Sequence, residues 1–396
     1  MFTRLTLAAG LALAACTPTG GPAPGGGAGG ALCPEAGIFR PGAATFAFTG
    51  DVMAHRLIQQ DAAARPEGFA PALAPAAPFL RRADVTVVNL ETPLARDTLP
   101  GGRDAGIRAA PADARVYTGY PAFNAHPSYA TALAASGIDV VQTANNHALD
   151  RGPLGVERTL QALSEAGLRT TGTVPRGQTG PWHTTVQTSA GRIALLACTY
   201  SVNGLPDPAR QALRCFGTAP SVPAHIGQLL ADPGIDGVIL LPHWGTEYSH
   251  TPTARQRSLA RAAIEAGASA VIGAHPHVLQ PVETVIARDG RQGVIAYSLG
   301  NFISSQWTLQ RRTGVILYMD LVRDARGRVI AQPPRALPTR VNRYVATGVT
   351  VTPAALVADG APSIAHAATI LGEGRLISPS DFGYAVQHPG GAACRG

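Results

Sequence analysis

Gly237-Val238-Ile239-Leu240-Leu241-Pro242-His243-Trp244-Gly245 leads, through a polar turn and the segment Thr253–Ala266, to Ala270-Val271-Ile272-Gly273-Ala274-His275-Pro276-His277. Gly237–Leu241 and Ala270–Gly273 are short apolar runs of the kind that form buried strands. Between them Leu259, Ala263 and Ala266 share one helix face, while Arg257, Arg261 and Glu265 share the other. Gly267 follows where a helix-capping glycine belongs. Strand, amphipathic helix and second strand argue for an α/β architecture, and both strands run into histidines.

The same alternation extends outward in both directions. It predicts strands over Ala44–Thr49, Asp84–Asn89, Asp139–Thr143, Arg192–Cys198, Gly293–Ser298 and Val315–Asp320. Further helices are expected over Pro71–Arg82 and Leu154–Ala166, the second followed by Gly167. No repeat of solenoid length is present. Residues 336–396 are rich in Pro, Gly and Ala with weak periodicity, and are expected to form an irregular extension packed on a domain spanning 32–335.

Polar residues gather where these strands end. The first runs into Gly50-Asp51-Val52-Met53-Ala54-His55, the second into Asn89-Leu90-Glu91, and the third into Asn145-Asn146-His147 with Asp150 close behind. His243, with Glu247 after it, and the His275-Pro276-His277 triplet complete the set. In open α/β sheets, sites form outside the carboxyl ends of the strands. An extended His275-Pro276-His277 would send both imidazoles to one side, toward one metal ion or two neighbouring ones. Asp51, Glu91, Asn146, His243, His275 and His277 make up a ligand inventory for one or two divalent ions, with His55 as an addition four residues beyond Asp51. Mixed N and O donors suit Mn, Zn or Fe better than Ca or Mg. His147, next to a ligand Asn, would protonate a leaving oxygen, and Asp150 would orient it. Asn145, Glu247 and Asn301 are candidate substrate contacts. Trp244 and Tyr248 are candidates for either a substrate wall or core packing.

The chain begins with Arg4, an apolar run over Leu5–Ala15, and Leu13-Ala14-Ala15-Cys16. That run reads as a signal peptide over residues 1–15, and its ending resembles a lipobox with Cys16 acylated. A Gly/Pro-rich tether to residue 31 would hold the body off the membrane. An exported, lipid-anchored protein on the periplasmic or outer-surface face of the envelope is the expectation. In that setting disulfides among Cys33, Cys198, Cys215 and Cys394 are plausible, either within the 198–215 loop or between the ends. The net charge of +7 comes from Arg alone, with no Lys in the sequence, and favours anionic partners. Without a dense basic run or interleaved aromatics, it does not point to nucleic acid.

Six stretches, in order, resemble the motifs of the CapA-type capsule and poly-gamma-glutamate synthesis proteins (the PGA_cap family). They are Gly50-Asp51-Val52-Met53, Asn89-Leu90-Glu91, Asn145-Asn146-His147-Ala148-Leu149-Asp150, His243-Trp244-Gly245 with Glu247-Tyr248, Gly273–His277 and Ser298–Phe302. The resemblance covers about 44–320 and implies a metallophosphoesterase-like two-sheet sandwich flanked by helices. It puts Asp51, Asn146, His243, His275 and His277 at metal-ligand positions and His147 at the acid position. It also shows departures: Val52-Met53 replaces an Asp-x-His pattern, and Asn89-Leu90-Glu91 stands where a bridging Asp is usual. Two readings follow. One is a metal-dependent hydrolase acting on an anionic envelope polymer or its precursor, alongside other capsule synthesis or export proteins. The other is a non-catalytic accessory protein that keeps the fold.

Overall fold

Strands as uniformly apolar as Gly237–Leu241 need cover on both faces, and two stacked sheets with outer helices supply it. The computed structural model describes residues 42–344 and 346–384; the leader, the tether, Cys16, Cys33 and Cys394 lie outside them. The strands of the two sheets are β1 (Ala44–Val52), β2 (Val85–Leu90), β3 (Val140–Gln142), β4 (Arg169–Thr171), β5 (His183–Thr188), β6 (Gly191–Thr199), β7 (Gly237–His243), β8 (Ala270–Ile272), β9 (Val282–Ile286), β10 (Gln292–Ala296), β11 (Asn301–Ile303), β12 (Thr313–Arg323), β13 (Val329–Ala331), β14 (Arg335–Tyr344) and β15 (Gly348–Pro353). One sheet has the order β15-β14-β12-β1-β2-β3-β4, with β11 added to β1 and β13 to β12; the other runs β9-β10-β8-β7-β6-β5.

One core lies between the sheets, built from Phe46, Phe48, Val87, Leu195, Ile239, Ile272 and Leu317. A second fills the space between the first sheet and helices that include Arg56–Ala63 and Ser128–Ala135. A third packs Leu196, Leu240 and Val271 against the helices Val222–Ala231 and Ala254–Glu265. The result is the expected helix–sheet–sheet–helix layering.

All eight strands read from the sequence form, as do the helices at Gly152–Glu165 and Ala254–Glu265. The helix expected over Pro71–Arg82 is instead two short pieces, Ala70–Leu73 and Ala77–Leu80. Pro75 and Pro78 each lack an amide donor and clash with the preceding turn, so one continuous helix cannot pass through them. The region from 336 also needs correction: β14 pairs with β12 and β15 with β14, extending the first sheet, and the helix Ala361–Leu371 follows. Its polar strand residues obscured this. Buried Arg340 pairs with Asp359, and the oxygen of buried Asn342 accepts from Arg312. Cys198 and Cys215 are joined, a disulfide across 17 residues that contributes about 3 kcal/mol in the chain-entropy view.

Strands β1 to β4 are parallel, and so are β6, β7, β8 and β10, so each sheet brings several carboxyl ends to one rim. At that rim β1 leaves β12 after Thr49 and pairs with β11, Asp51 opposite Asn301. The exchange requires Gly50, because a Cβ there would fall 1.7 Å from the Gly300 carbonyl oxygen.

Candidate metal centre

Asp51 enters from the end of β1, where its Oδ1 accepts from the Asn89 side-chain amide (2.8 Å) and the His275 backbone N–H (3.2 Å). Its Oδ2 lies 2.9 Å from His277 Nδ1. Donation from Nδ1–H fixes the His277 tautomer and leaves the Nε2 lone pair for a metal. Glu91, just past β2, is fully buried, and neither carboxylate oxygen has a hydrogen-bond partner. Its Oε1 is 3.6 Å from His243 Nε2 and 3.8 Å from His277 Nε2. His243 ends β7 and faces the Asn146 side-chain oxygen at 3.0 Å. The rings of His243 and His275 are 4.8 Å apart, and buried His275 Nδ1 is unpaired.

His275 and His277 converge by a different route from the extended one expected. Their φ angles are +103° and +59°, so the triplet is a turn. Gly273 lets it pass against the second sheet, since a Cβ would meet the Tyr297 carbonyl oxygen at 2.2 Å and the Trp244 indole nitrogen at 2.4 Å. Trp244 is thus a core residue, fully buried with its N–H donated to Tyr297 O.

Among the described residues, three groups of donors each lie within reach of a single ion: Glu91, His243 and His275; Asp51, Glu91 and His277; and Glu247, His275 and His277. Glu91 belongs to the first two and is placed as a bridge between neighbouring positions. A buried carboxylate with no donor is costly, and a cation is what its surroundings lack. The donor set fits a divalent ion held by imidazoles and carboxylates.

The titration behaviour follows from the same burial. Glu91 is pushed well above the usual carboxylate range, first by burial and then by the charges of Asp51 and Glu247. His243 is held well below the ordinary histidine value by burial and by His275. His275 falls to about 3 through burial and the neighbouring His277, and His55 to about 4 through burial, His277 and His147. Imidazoles kept neutral are metal-ready donors. A histidine whose folded pKa is depressed contributes stability above its unfolded value of 6.5 that is lost as pH falls. Glu91 works in the opposite direction, because acidification relieves its buried charge. The urea midpoint of metal-free protein should therefore fall more steeply between about pH 6.5 and 4 in Glu91→Gln than in wild type. Parallel curves would show that these groups do not carry the shifts.

Around this cluster the other expected residues take distinct places. His147 Nδ1 lies 2.7 Å from Asp150 Oδ2, which also accepts the Phe123 N–H at 2.6 Å. The Phe123 ring stands edge-on to His147 and to His55. His55 is not brought into any of the three donor groups, and its Nδ1 accepts from the Ser305 N–H. Asn145 and Asn301, expected at substrate, are buried; Asn145 is bonded internally, while the Asn301 side-chain oxygen has no partner. Asn145 donates to Leu90 O and accepts from the His147 N–H. Asn301 donates to Arg311 O at 2.9 Å and His277 O at 3.4 Å. Glu247 is on the exposed side of its donor group. Sequence reasoning missed Asn89 as a site residue: its amide links Asp51 to His243 Nδ1, 3.2 Å away. It also missed Tyr200, whose ring lies 4.7 Å from that of His275. Asn89 stood in a quoted motif; Tyr200 carried no sequence signal.

With this geometry in hand, the chain belongs to the bacterial capsule synthesis protein family PGA_cap, which matches residues 45–306. It is 28% identical over 245 residues to the capsule biosynthesis protein CapA of Bacillus anthracis, covering 61% of this chain and 56% of that protein. It is 32% identical over 207 residues to the PGA biosynthesis protein CapA of Bacillus subtilis, covering 49% and 50% respectively. The chain thus spans about half the length of the curated relatives it matches. Among solved structures, the NAD nucleotidase of Haemophilus influenzae aligns over 86% of this chain and 58% of its own at 12% identity, with a TM-score of 0.45.

Proposed function

We propose that this chain is an exported lipoprotein, anchored through Cys16, whose rim site is a metal-dependent hydrolase acting on a capsule-type anionic polymer or its precursor. Glu91 carries the reading: a buried carboxylate with two unpaired oxygens, facing His277 and a His243 that burial keeps neutral. A bound divalent ion would supply Lewis acidity and lower the pKa of a nucleophilic water. His277 and His275 offer unspent ring nitrogens, Asp51 fixes the His277 ring, and Asn89 holds Asp51 and His243 in register. His147, anchored at Nδ1 by Asp150, exchanges a proton at Nε2 with a leaving oxygen. The relatives' names, which refer to capsule and PGA biosynthesis, support an anionic polymer as the substrate class.

The test is elemental analysis of the full chain purified without chelator, alongside turnover of a generic phosphodiester. Near-stoichiometric Mn, Zn or Fe together with turnover is the expected result. Protein that stays metal-free and inactive after Mn or Zn is added would overturn the enzyme reading and favour the accessory one.

A further inference from the structure

Next to His277 is a residue in an unusual backbone state. Tyr248 has φ +65°, a left-handed conformation that a bulky side chain adopts only when its surroundings impose it. Its N–H donates to Pro276 O at 2.7 Å, which ties it to the histidine turn. The ring is 41% exposed and lies 6.0 Å from that of His277. On its face rests the Arg311 guanidinium, 3.4 Å from the ring centroid. Asn301 fixes the distance between the two elements, because its one amide bonds the carbonyls of both His277 and Arg311.

Arg311 differs from its neighbour. Arg312 donates to Val341 O and to Asn342, and is spent on the fold. Among the described residues, no carboxylate lies within ion-pair distance of the Arg311 guanidinium. A guanidinium lying flat on an aromatic ring keeps its in-plane donors free, and that fork matches a planar carboxylate.

We infer that Arg311, held on Tyr248, is a specificity-determining clamp for a carboxylate of an acidic polymer whose neighbouring linkage lies at the metal centre. The inference rests on the hydrolase reading for the position of that linkage. The clamp itself is an equilibrium binding element. Its partner is a polymer bearing carboxylates at regular intervals; one carboxylate pairs with Arg311 while the next linkage lies at the metal centre beside His277.

Binding of a fluorescent glutamate oligomer to the full chain, measured by anisotropy at fixed salt, tests this, with metal content counted in the same samples. Arg311→Gln should weaken binding by about tenfold or more, and Arg311→Lys should recover only part of it. Arg326→Gln is the charge-matched control, in the exposed turn between β12 and β13 beyond the opposite end of β1, and should bind within about twofold of wild type. The clamp is overturned if Arg311→Gln binds as wild type does, or if Arg326→Gln weakens binding equally. Polyphosphate displacing the probe far better than unlabelled oligomer of equal charge would overturn the carboxylate assignment. Absence of metal in wild type would defeat the hydrolase reading, while the Arg311 dependence would still decide the clamp.

Discussion

Glu91→Gln should lower metal affinity by at least about a hundredfold while making the metal-free protein more stable at neutral pH. The first half follows from position. Glu91 is common to two donor groups, one with His243 and His275 and one with Asp51 and His277. Losing a shared anionic ligand weakens both positions, whereas His275→Ala or His277→Ala leaves one of those two groups with its imidazoles. Since residues that merely orient ligands cost tenfold to a hundredfold in affinity, a direct bridge should cost at least as much. The second half follows from sign. A carboxyl whose folded pKa is raised contributes its full stability below its unfolded value, 4.5, and loses it as pH rises toward the folded value. Glutamine keeps the shape and removes that loss. Elemental analysis and urea denaturation in chelator measure the two halves separately. Full metal retention would refute the bridge; unchanged metal-free stability would show that Glu91 is not held as a strained buried carboxylate.

That residue also illustrates how much of the site was legible beforehand. Strands ending in Asp51, Glu91, His243 and His275 could be read because apolar runs of strand length stop abruptly at polar ones, and parallel strands share a rim. The sequence could not show how each polar atom would be used. Asn145 and Asn301 have the residue type of substrate contacts, yet their amides close backbone gaps at Leu90, His277 and Arg311. Asn89 lay between two assigned residues, and its role depends on a contact with His243, 154 positions away. In the fold, the errors came where local signals conflicted with distant partners. Pro75 and Pro78 were outweighed by an apolar pattern, and β14 was hidden by Pro338, Arg340 and Asn342. The sheet accepts the two polar residues because Arg312 donates to the Asn342 oxygen and Asp359 pairs with Arg340.

His147→Ala should leave metal content intact and reduce turnover by roughly a hundredfold to ten-thousandfold. His147 belongs to none of the three donor groups, so no ligand is lost. Its ring is held from two sides, by Asp150 at Nδ1 and by the edge-on Phe123 ring. The Asp150 carboxylate is itself pinned by the Phe123 N–H, so the imidazole cannot turn without breaking both contacts. With Nδ1–H committed to Asp150, the exchangeable proton belongs to Nε2, the arrangement that a general acid for a leaving oxygen requires. Asp150→Asn keeps the size but removes the charge that favours this tautomer, so it should reduce turnover less than His147→Ala. A purely structural role for His147 would instead lower stability and metal content together. The decisive comparison is turnover per bound metal ion across wild type, His147→Ala and Asp150→Asn: equal values in all three would remove proton transfer from this pair, and a drop confined to the variants at constant metal would assign it there.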